Sequence, residues 1–302
     1  MEVHKLKEKL MSLKDAVKLI KDGDSIGMGG SLLRRHPMAI INEIIRQKKR
    51  NLHLLGWNNG MDMDILIGAG CVDIVESSYI GLAPHGLALN FRRAVENQEI
   101  IIRERSETTA IDRFRAGSMG ISFIPSKTPL GTAIEKYDPE FKEVICPHTN
   151  ERYAALKAWN PDVVIIHAHK ADKYGNVQFD RKRVMDNEPD RFIAKSGKKT
   201  IVTVEEIVSS EHITETNTLT VLPKLFIEAV VEAPFGAHPC SCDTRYDNDH
   251  DFLGQYYKMS KNKEDFSKYL DEYVYGVKDH DEYLEKIGIK RLLEISGPKE
   301  VL

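Results

Sequence analysis

The chain has 302 residues, 41% hydrophobic and 29% charged, with a net charge of −3 and four cysteines. This is the composition of an ordinary globular protein with room for a sizeable core, and its charge gives no electrostatic case for nucleic acid or an anionic membrane. No apolar run approaches the ~18 residues of a spanning helix, and four cysteines do not make a disulfide framework. The charged stretch over residues 1–7 lacks the apolar segment of a signal peptide, so a cytoplasmic protein with reduced thiols is expected.

Ser12, three residues before Asp15, reads as a helix cap, and Ala16, Val17 and Ile20 supply that helix with an apolar face. Asp22-Gly23-Asp24 ends it. A short strand then leads through Ser25, Ile26, Gly27 and Met28 into Gly29, Gly30 and Ser31. Pro37 opens a helix with Met38, Ile41, Ile44 and Ile45 on one side. Strand, glycine turn and helix start together form the usual anion cradle of α/β proteins. The G-x-G-G spacing nevertheless lacks the third glycine of the dinucleotide fingerprint, and no Gly-Lys-Ser/Thr follows. A tight strand–helix turn is the alternative.

Leu52 to Gly56 is the next strand, followed by the turn Asn58-Asn59-Gly60 and a helix from Met61 to Ile67. Val72 to Val75 is strand-like, Leu87 to Asn97 helical, and Ile100-Ile101-Ile102 has the pattern of a buried strand. A helix is expected from about Thr108 to Ser118. Phe123-Ile124-Pro125 leads into a loop rich in hydroxyls, Ser126 to Thr132. Further on, Val163 to Ile166 is a near-continuous apolar strand closed by His167-Ala168-His169. Ile201 to Val204 is another, with Glu205-Glu206-Ile207-Val208 opening a helix, and Leu219 to Leu222 a third.

Short apolar strands alternating with helices predict an α/β fold, a mostly parallel sheet covered by helices on both faces. No repeat or low-complexity linker divides the chain. Residues 1–302 are therefore expected to form one domain, with 245–302 a mainly helical extension. In that extension Phe266, Leu270, Tyr273 and Val274 share a helix face, and Asp281 to Lys286 forms a short helix stopped by Gly288.

His167 and His169 share one face of a strand, which a metal could use, but no third ligand lies at a recognisable spacing. Cys240-Ser241-Cys242 has no paired motif and is expected to be loop. The Glu205-Glu206 pair suits the first turn of the helix expected there. No nucleophile elbow is present. On their own these residues do not name a reaction.

Several stretches are more specific in combination. They are Gly27-Met28-Gly29-Gly30 with Arg35 and Pro37, Asn42 to Gln47, Asp64 to Gly68, Phe123 to Pro125 and Asp162 to Ala168. Val202 to Ile207, Glu232 to Pro239 and Lys278 to Leu284 complete the set. In this order and spacing the chain resembles the alpha subunit of the family I CoA-transferases, in particular the glutaconate CoA-transferase branch. The resemblance implies a CoA-transferase-type fold and a partner, the beta subunit, in a heterodimer or α2β2 assembly. It also implies acyl-CoA and a small (di)carboxylic acid as substrates, with coenzyme A a substrate and no cofactor permanently bound. The partner would carry the attacking glutamate; this chain has no Ser-Glu-Asn-Gly, and Glu76-Ser77-Ser78 reads as a strand-end acid.

Within that resemblance Glu107 is the first candidate side chain for catalysis. Many transferases are similar to this sequence there but carry Gln, six residues before the counterpart of Arg113. An ionised carboxylate accepts hydrogen bonds and donates none, which suits a general base better than an oxyanion donor. A CoA-thioester C–C hydrolase subunit using Glu107 as general base is therefore the alternative activity, and an exposed helix-start acid the structural one. For substrate or CoA binding the candidates are Gly27, Gly29, Gly30 and Ser31, then Arg34 and Arg35 as partners of a carboxylate, and Ser78 and Tyr79 at a strand end. The Ser126 to Thr132 hydroxyls are a further possibility. A non-catalytic acyl-CoA or sugar-phosphate binding module is the third class of function.

Overall fold

Ser12 caps the first helix as its spacing predicts: its hydroxyl accepts the Asp15 N–H at 3.1 Å, and α1 (Leu13–Val17) buries Ala16 and Val17. A computed structural model describes residues 7–180 and 188–297 of the chain. From α1 the chain alternates as expected through β1 (Ser25–Met28), α2 (Met38–Arg46), β2 (Leu52–Leu55), α3 (Met61–Gly68), β3 (Val72–Ser77), α4 (Leu89–Glu96) and β4 (Ile101–Glu104). Next come α5 (Glu107–Ser118), β5 (Phe123–Ser126), α6 (Ala133–Tyr137), β6 (Glu143–Ile145) and β7 (Arg152–Lys157). The second half holds β8 (Val163–Ala171), β9 (Val177–Gln178), α7 (Glu188–Ser196), β10 (Thr200–Ile207), α8 (Ser210–Glu215), β11 (Thr220–Leu222) and β12 (Ala229–Glu232). Past a run of turns after β12 come α9 (His250–Met259), α10 (Lys263–Leu270), α11 (His280–Ile287) and α12 (Ile289–Ile295).

Seven strands pair in parallel in the order β4-β3-β2-β1-β8-β10-β12. Two short antiparallel strands, β9 and β11, extend the sheet from the end of β8. The chain builds outward from β1 in one direction through β2, β3 and β4, then from β8 in the other. The border between β1 and β8 is thus a topological switch point, where open α/β sheets leave a crevice at the carboxyl ends of their strands.

β8 shows why its sequence is a continuous apolar run. Val163 and Ile165 enter one core with Ile26, Met28 and Leu54, beneath α1 to α4 and the C-terminal helices. Val164 and Ile166 enter a second core with Phe114, Trp159, Ile193 and Val202, beneath α5 and α7. Alternate side chains face opposite sides of a strand, so both sides must be apolar when both are covered.

In the tail, Phe266, Leu270, Tyr273 and Val274 are all buried, although α10 stops at Leu270 and the backbone continues as a wider π turn over Asp271–Tyr275. Gly288, at φ +88°, stops α11. Among the described residues no helix is long and apolar enough to cross a membrane.

Two expectations fail. The Ile100–Ile102 run is not a buried strand: β4 lies at the open edge of the sheet, with Ile101 58% and Ile102 43% exposed, because among the described residues only β3 pairs with it. No helix starts at Glu205. β10 continues to Ile207, held by its register with β8 (Glu206 opposite Lys170, Ile207 opposite Ala171), and α8 begins only after the Ser209 cap. Phe123 to Pro125 lies in a separate antiparallel sheet, in the order β5-β7-β6. Pro125 is tolerated because β5 is an edge strand of that sheet.

Candidate functional site

The parallel strands β1 to β4 all end on one rim of the sheet. There they release Gly29 to Ser31, Gly56 to Asn59, Ser78-Tyr79 and the Arg105 to Glu107 turn in succession. Backbone and side-chain hydrogen bonds join these loops. Leu32 N–H donates to Asn58 O at 2.8 Å, and Trp57 Nε1–H to Gly30 O at 3.0 Å. Asn59 N–H donates to Tyr79 O at 2.9 Å, the Ser78 hydroxyl donates to Trp57 O, and Arg105 N–H reaches Ser77 O at 3.3 Å. The glycine stretch, Ser78, Tyr79 and the turn before Glu107 therefore belong to one continuous rim.

Ser78 and Tyr79 line a cleft of about 200 Å³ with Ser77, Phe91, Ile102 and Glu104. Tyr79 is 44% exposed. Glu107 is exposed at the first position of α5, whose N-cap is closed by reciprocal Ser106 and Thr109 hydrogen bonds. A carboxylate at that position complements the helix macrodipole.

The glycines do not form the open anion cradle their pattern suggests. A Cβ on Gly27 would stand 2.9 Å from Pro161 Cγ, and one on Gly29 would stand 2.6 Å from Ile166 Cγ2. They allow β1 to pack against the chain's own side chains. Gly30 adopts φ +89°, and its N–H donates to Asp190 Oδ1 at 2.8 Å. The anion in this turn is thus the carboxylate of Asp190 on α7. Ser31 differs: its hydroxyl is buried and makes no hydrogen bond among the described residues.

Arg34 and Arg35 are not a solvated pair. Arg34 Nε donates to Asp243 Oδ1 at 2.8 Å. Arg35 pairs with Asp190, lies 3.6 Å from Asp243 Oδ2, and sits 4.8 Å over the Phe179 ring. A substrate carboxylate would have to replace one of these partners. The Ser126 to Thr132 hydroxyls are partly spent on their own turn, since Ser126 Oγ accepts Thr128 N–H and Thr132 Oγ1 donates to Pro129 O.

Two polar networks were not legible in the sequence. Behind the Glu107 turn, Arg105 donates to Glu76 Oε2 from Nε at 2.9 Å and from Nη2 at 2.6 Å, and reaches Asp138 and Glu140. Burial alone would raise the Glu76 carboxyl; the His53 hydrogen bond and the Arg105 guanidinium more than offset it and hold it at about 2. In the second network His167 Nε2 faces Glu205 Oε1 at 2.6 Å, and His167 Nδ1 faces Thr203 Oγ1 at 2.8 Å.

Cys242 lies near enough that His167, Glu205 and Cys242 offer three ligand atoms within 4.8 Å of one another. The Glu205 oxygens are already occupied: one also accepts the Tyr246 hydroxyl at 2.7 Å and the other the Phe235 N–H at 2.9 Å. Burial drives the Cys240 and Cys242 thiols well above their usual range. The set is a closed hydrogen-bond network beside one reluctant thiol, Cys242, a poor fit to a metal centre. His169 takes no part in it; burial lowers it to about 4 and it stays neutral, facing Asp243 O.

Residues 10–233 match the family model described as coenzyme A transferase. The chain belongs to the coenzyme A transferase family. It is 35% identical to the corresponding chain of glutaconate CoA-transferase from Acidaminococcus fermentans, over 95% of its own length and 94% of that relative. The crystal structure of glutaconate coenzyme A-transferase from that organism superposes at TM-score 0.91, covering 96% of each chain at 34% identity. An uncharacterized protein of Archaeoglobus fulgidus is 40% identical over 95% of this chain, which spans 64% of that relative's length. A cholesterol ring-cleaving hydrolase IpdA subunit of Rhodococcus jostii is 28% identical, over 90% of this chain and 94% of the relative.

Proposed function

We propose that this coenzyme A transferase family chain is the alpha subunit of a heteromeric CoA-transferase moving CoA between an acyl-CoA and a small (di)carboxylic acid, with the attacking glutamate on the partner. The superposition on glutaconate coenzyme A-transferase, over nearly the whole of both chains, carries this reading. The rim chemistry agrees with it. Glu76 is locked to Arg105 and Glu205 to His167 and Tyr246, so neither is a free nucleophile. Glu107 stands exposed at the turn, as part of the wall this chain contributes.

The reaction runs through covalent intermediates. The partner's glutamate attacks the thioester carbonyl and the CoA thiolate leaves, giving an acyl-glutamyl anhydride. The thiolate then attacks the glutamyl carbonyl and releases the first acid, leaving an enzyme thioester. An incoming carboxylate reverses the sequence and departs as the new acyl-CoA. This chain supplies the opposite wall, where donors stabilise the developing oxyanions.

A second reading has two points in its favour. Glu107 is acceptor-only when ionised, and the chain is also related to a ring-cleaving hydrolase. In that reading Glu107 is a general base that activates water. The substitution Glu107→Gln separates the two. For a transferase it should maintain or raise CoA transfer, because the amide can donate to an oxyanion. For a hydrolase it should lower hydrolysis by about 10²–10⁴-fold. Borohydride reduction after incubation with acyl-CoA gives an independent answer: a reduced glutamate on the partner is expected, and an unmodified partner would overturn the transferase reading.

A further inference from the structure

His36 follows the two arginines of the glycine turn and is fully buried. Its Nδ1 lies 3.0 Å from Gly29 O and 3.1 Å from Asp62 Oδ2, and its Nε2 lies 2.7 Å from Leu32 O. All three neighbours are acceptors. Neutral imidazole has one N–H and one lone pair, so either tautomer would set that lone pair against an oxygen where water does not reach. Imidazolium donates from both nitrogens and satisfies every contact. The negative charge it needs is Asp62 on α3, itself fixed by Asn59 Nδ2 at 2.7 Å and Gly60 N–H at 2.6 Å.

We propose that His36 is a buried imidazolium that acts as the positioning residue of the Gly29 to Leu32 turn, fixing both ends of the turn and with them Ser31 at the rim. The inference rests on the reading that this rim receives the acyl-CoA. Gly30 belongs to the same device, since a Cβ there would stand 2.7 Å from His36 Nδ1. Burial opposes the charge, but Asp62 and the two carbonyls outweigh it: His36 is raised above its ordinary 6.5 and Asp62 is lowered. The neighbouring cations face elsewhere, Arg34 toward Asp243 and Arg35 toward Asp190, and the Cys240 thiol behind Asp62 is buried and pushed upward. Because the folded-state value is raised, the contribution is fully present below pH ~6.5 and is lost as pH rises through the folded value.

The test uses the complex of this chain and its partner, following kcat, KM for acyl-CoA and melting temperature from pH 6 to 10 in the wild type, His36→Gln and Asp62→Asn. For His36→Gln we expect kcat to fall by about 10–100-fold with KM changed far less, as for a small misplacement of a reacting group. The wild type should show an alkaline limb above pH ~6.5 that His36→Gln lacks, and Asp62→Asn should move that limb to lower pH. A His36→Gln complex with wild-type kcat and an unchanged limb would overturn the proposal. If His36→Gln does not assemble, Asp62→Asn decides: a limb left in place overturns it. A wild-type complex that moves no CoA would refute the functional reading instead, while the melting temperatures would still judge His36.

Discussion

Replacing Arg105 with alanine is expected to cost about 3–5 kcal/mol of folding stability, the range for removing one partner of a buried ion pair. The Arg105 side chain is fully buried and Glu76 is 2% exposed. The guanidinium meets Glu76 Oε2 at 2.6 Å, Asp138 Oδ2 at 2.5 Å and Glu140 Oε2 at 3.2 Å. Without it Glu76 keeps His53 and the half-buried Arg103, while Asp138 is left with Arg113, which also faces Glu140. The same cation joins the end of β4 to the loop after α6, so its loss should also loosen the turn bearing Glu107. Denaturant midpoints of the complex check this, and a cost below about 1 kcal/mol would contradict it. The double variant Arg105→Ala/Glu76→Gln should lose less than the sum of the single losses, because the stranded carboxylate is gone.

The same pair predicts an acid limb. Glu76 is held at about 2 against its ordinary 4.5. A lowered carboxyl contributes stability that is fully present above the unfolded value and is lost as pH falls through the folded one. That contribution, about 3 kcal/mol, should disappear between roughly pH 4.5 and 2. Glu76→Gln should flatten this part of the stability profile.

Gly30→Ala should be the most damaging single methyl in the glycine turn, costing about 2–4 kcal/mol. Gly30 sits at φ +89°, which an L side chain rarely adopts, and its Cβ would meet Arg34 O at 2.7 Å and His36 N at 2.9 Å. Both are backbone atoms that cannot rotate away. Gly120 is the control: its φ is +69° but nothing lies within 4 Å of its Cβ, so Gly120→Ala should show the backbone cost alone, about 1 kcal/mol. Equal losses for the two variants, measured by thermal or denaturant unfolding, would show that the crowding around Gly30 is unimportant.

Periodicity and caps made much of the fold legible. β8 could be read because both its faces meet a core, and α1 because Ser12 and Asp15 stand at capping distance. Edge position was not legible. Ile100 to Ile102 carries the pattern of a central strand, and only the pairing order shows that no described residue pairs with the outer side of β4. Glu205 misled for a related reason. An acidic pair after an apolar strand is an ordinary helix start, but here Tyr246, His167 and the Phe235 N–H, none adjacent to it in sequence, hold it within β10. Of the two readings of the glycine stretch, an anion cradle or a tight strand–helix turn, the structure has the tight turn; the choice was not legible because the carboxylate that fills it, Asp190, lies 160 residues away. Arg105, Asp138 and Glu76 likewise meet only after folding.

The most direct test of a shared cavity is acyl-CoA turnover by the purified chain alone and after mixing with its partner. The account predicts no measurable CoA transfer from the isolated chain and recovery of activity when the partner is added. Full-rate turnover by this polypeptide with no second polypeptide present would contradict it.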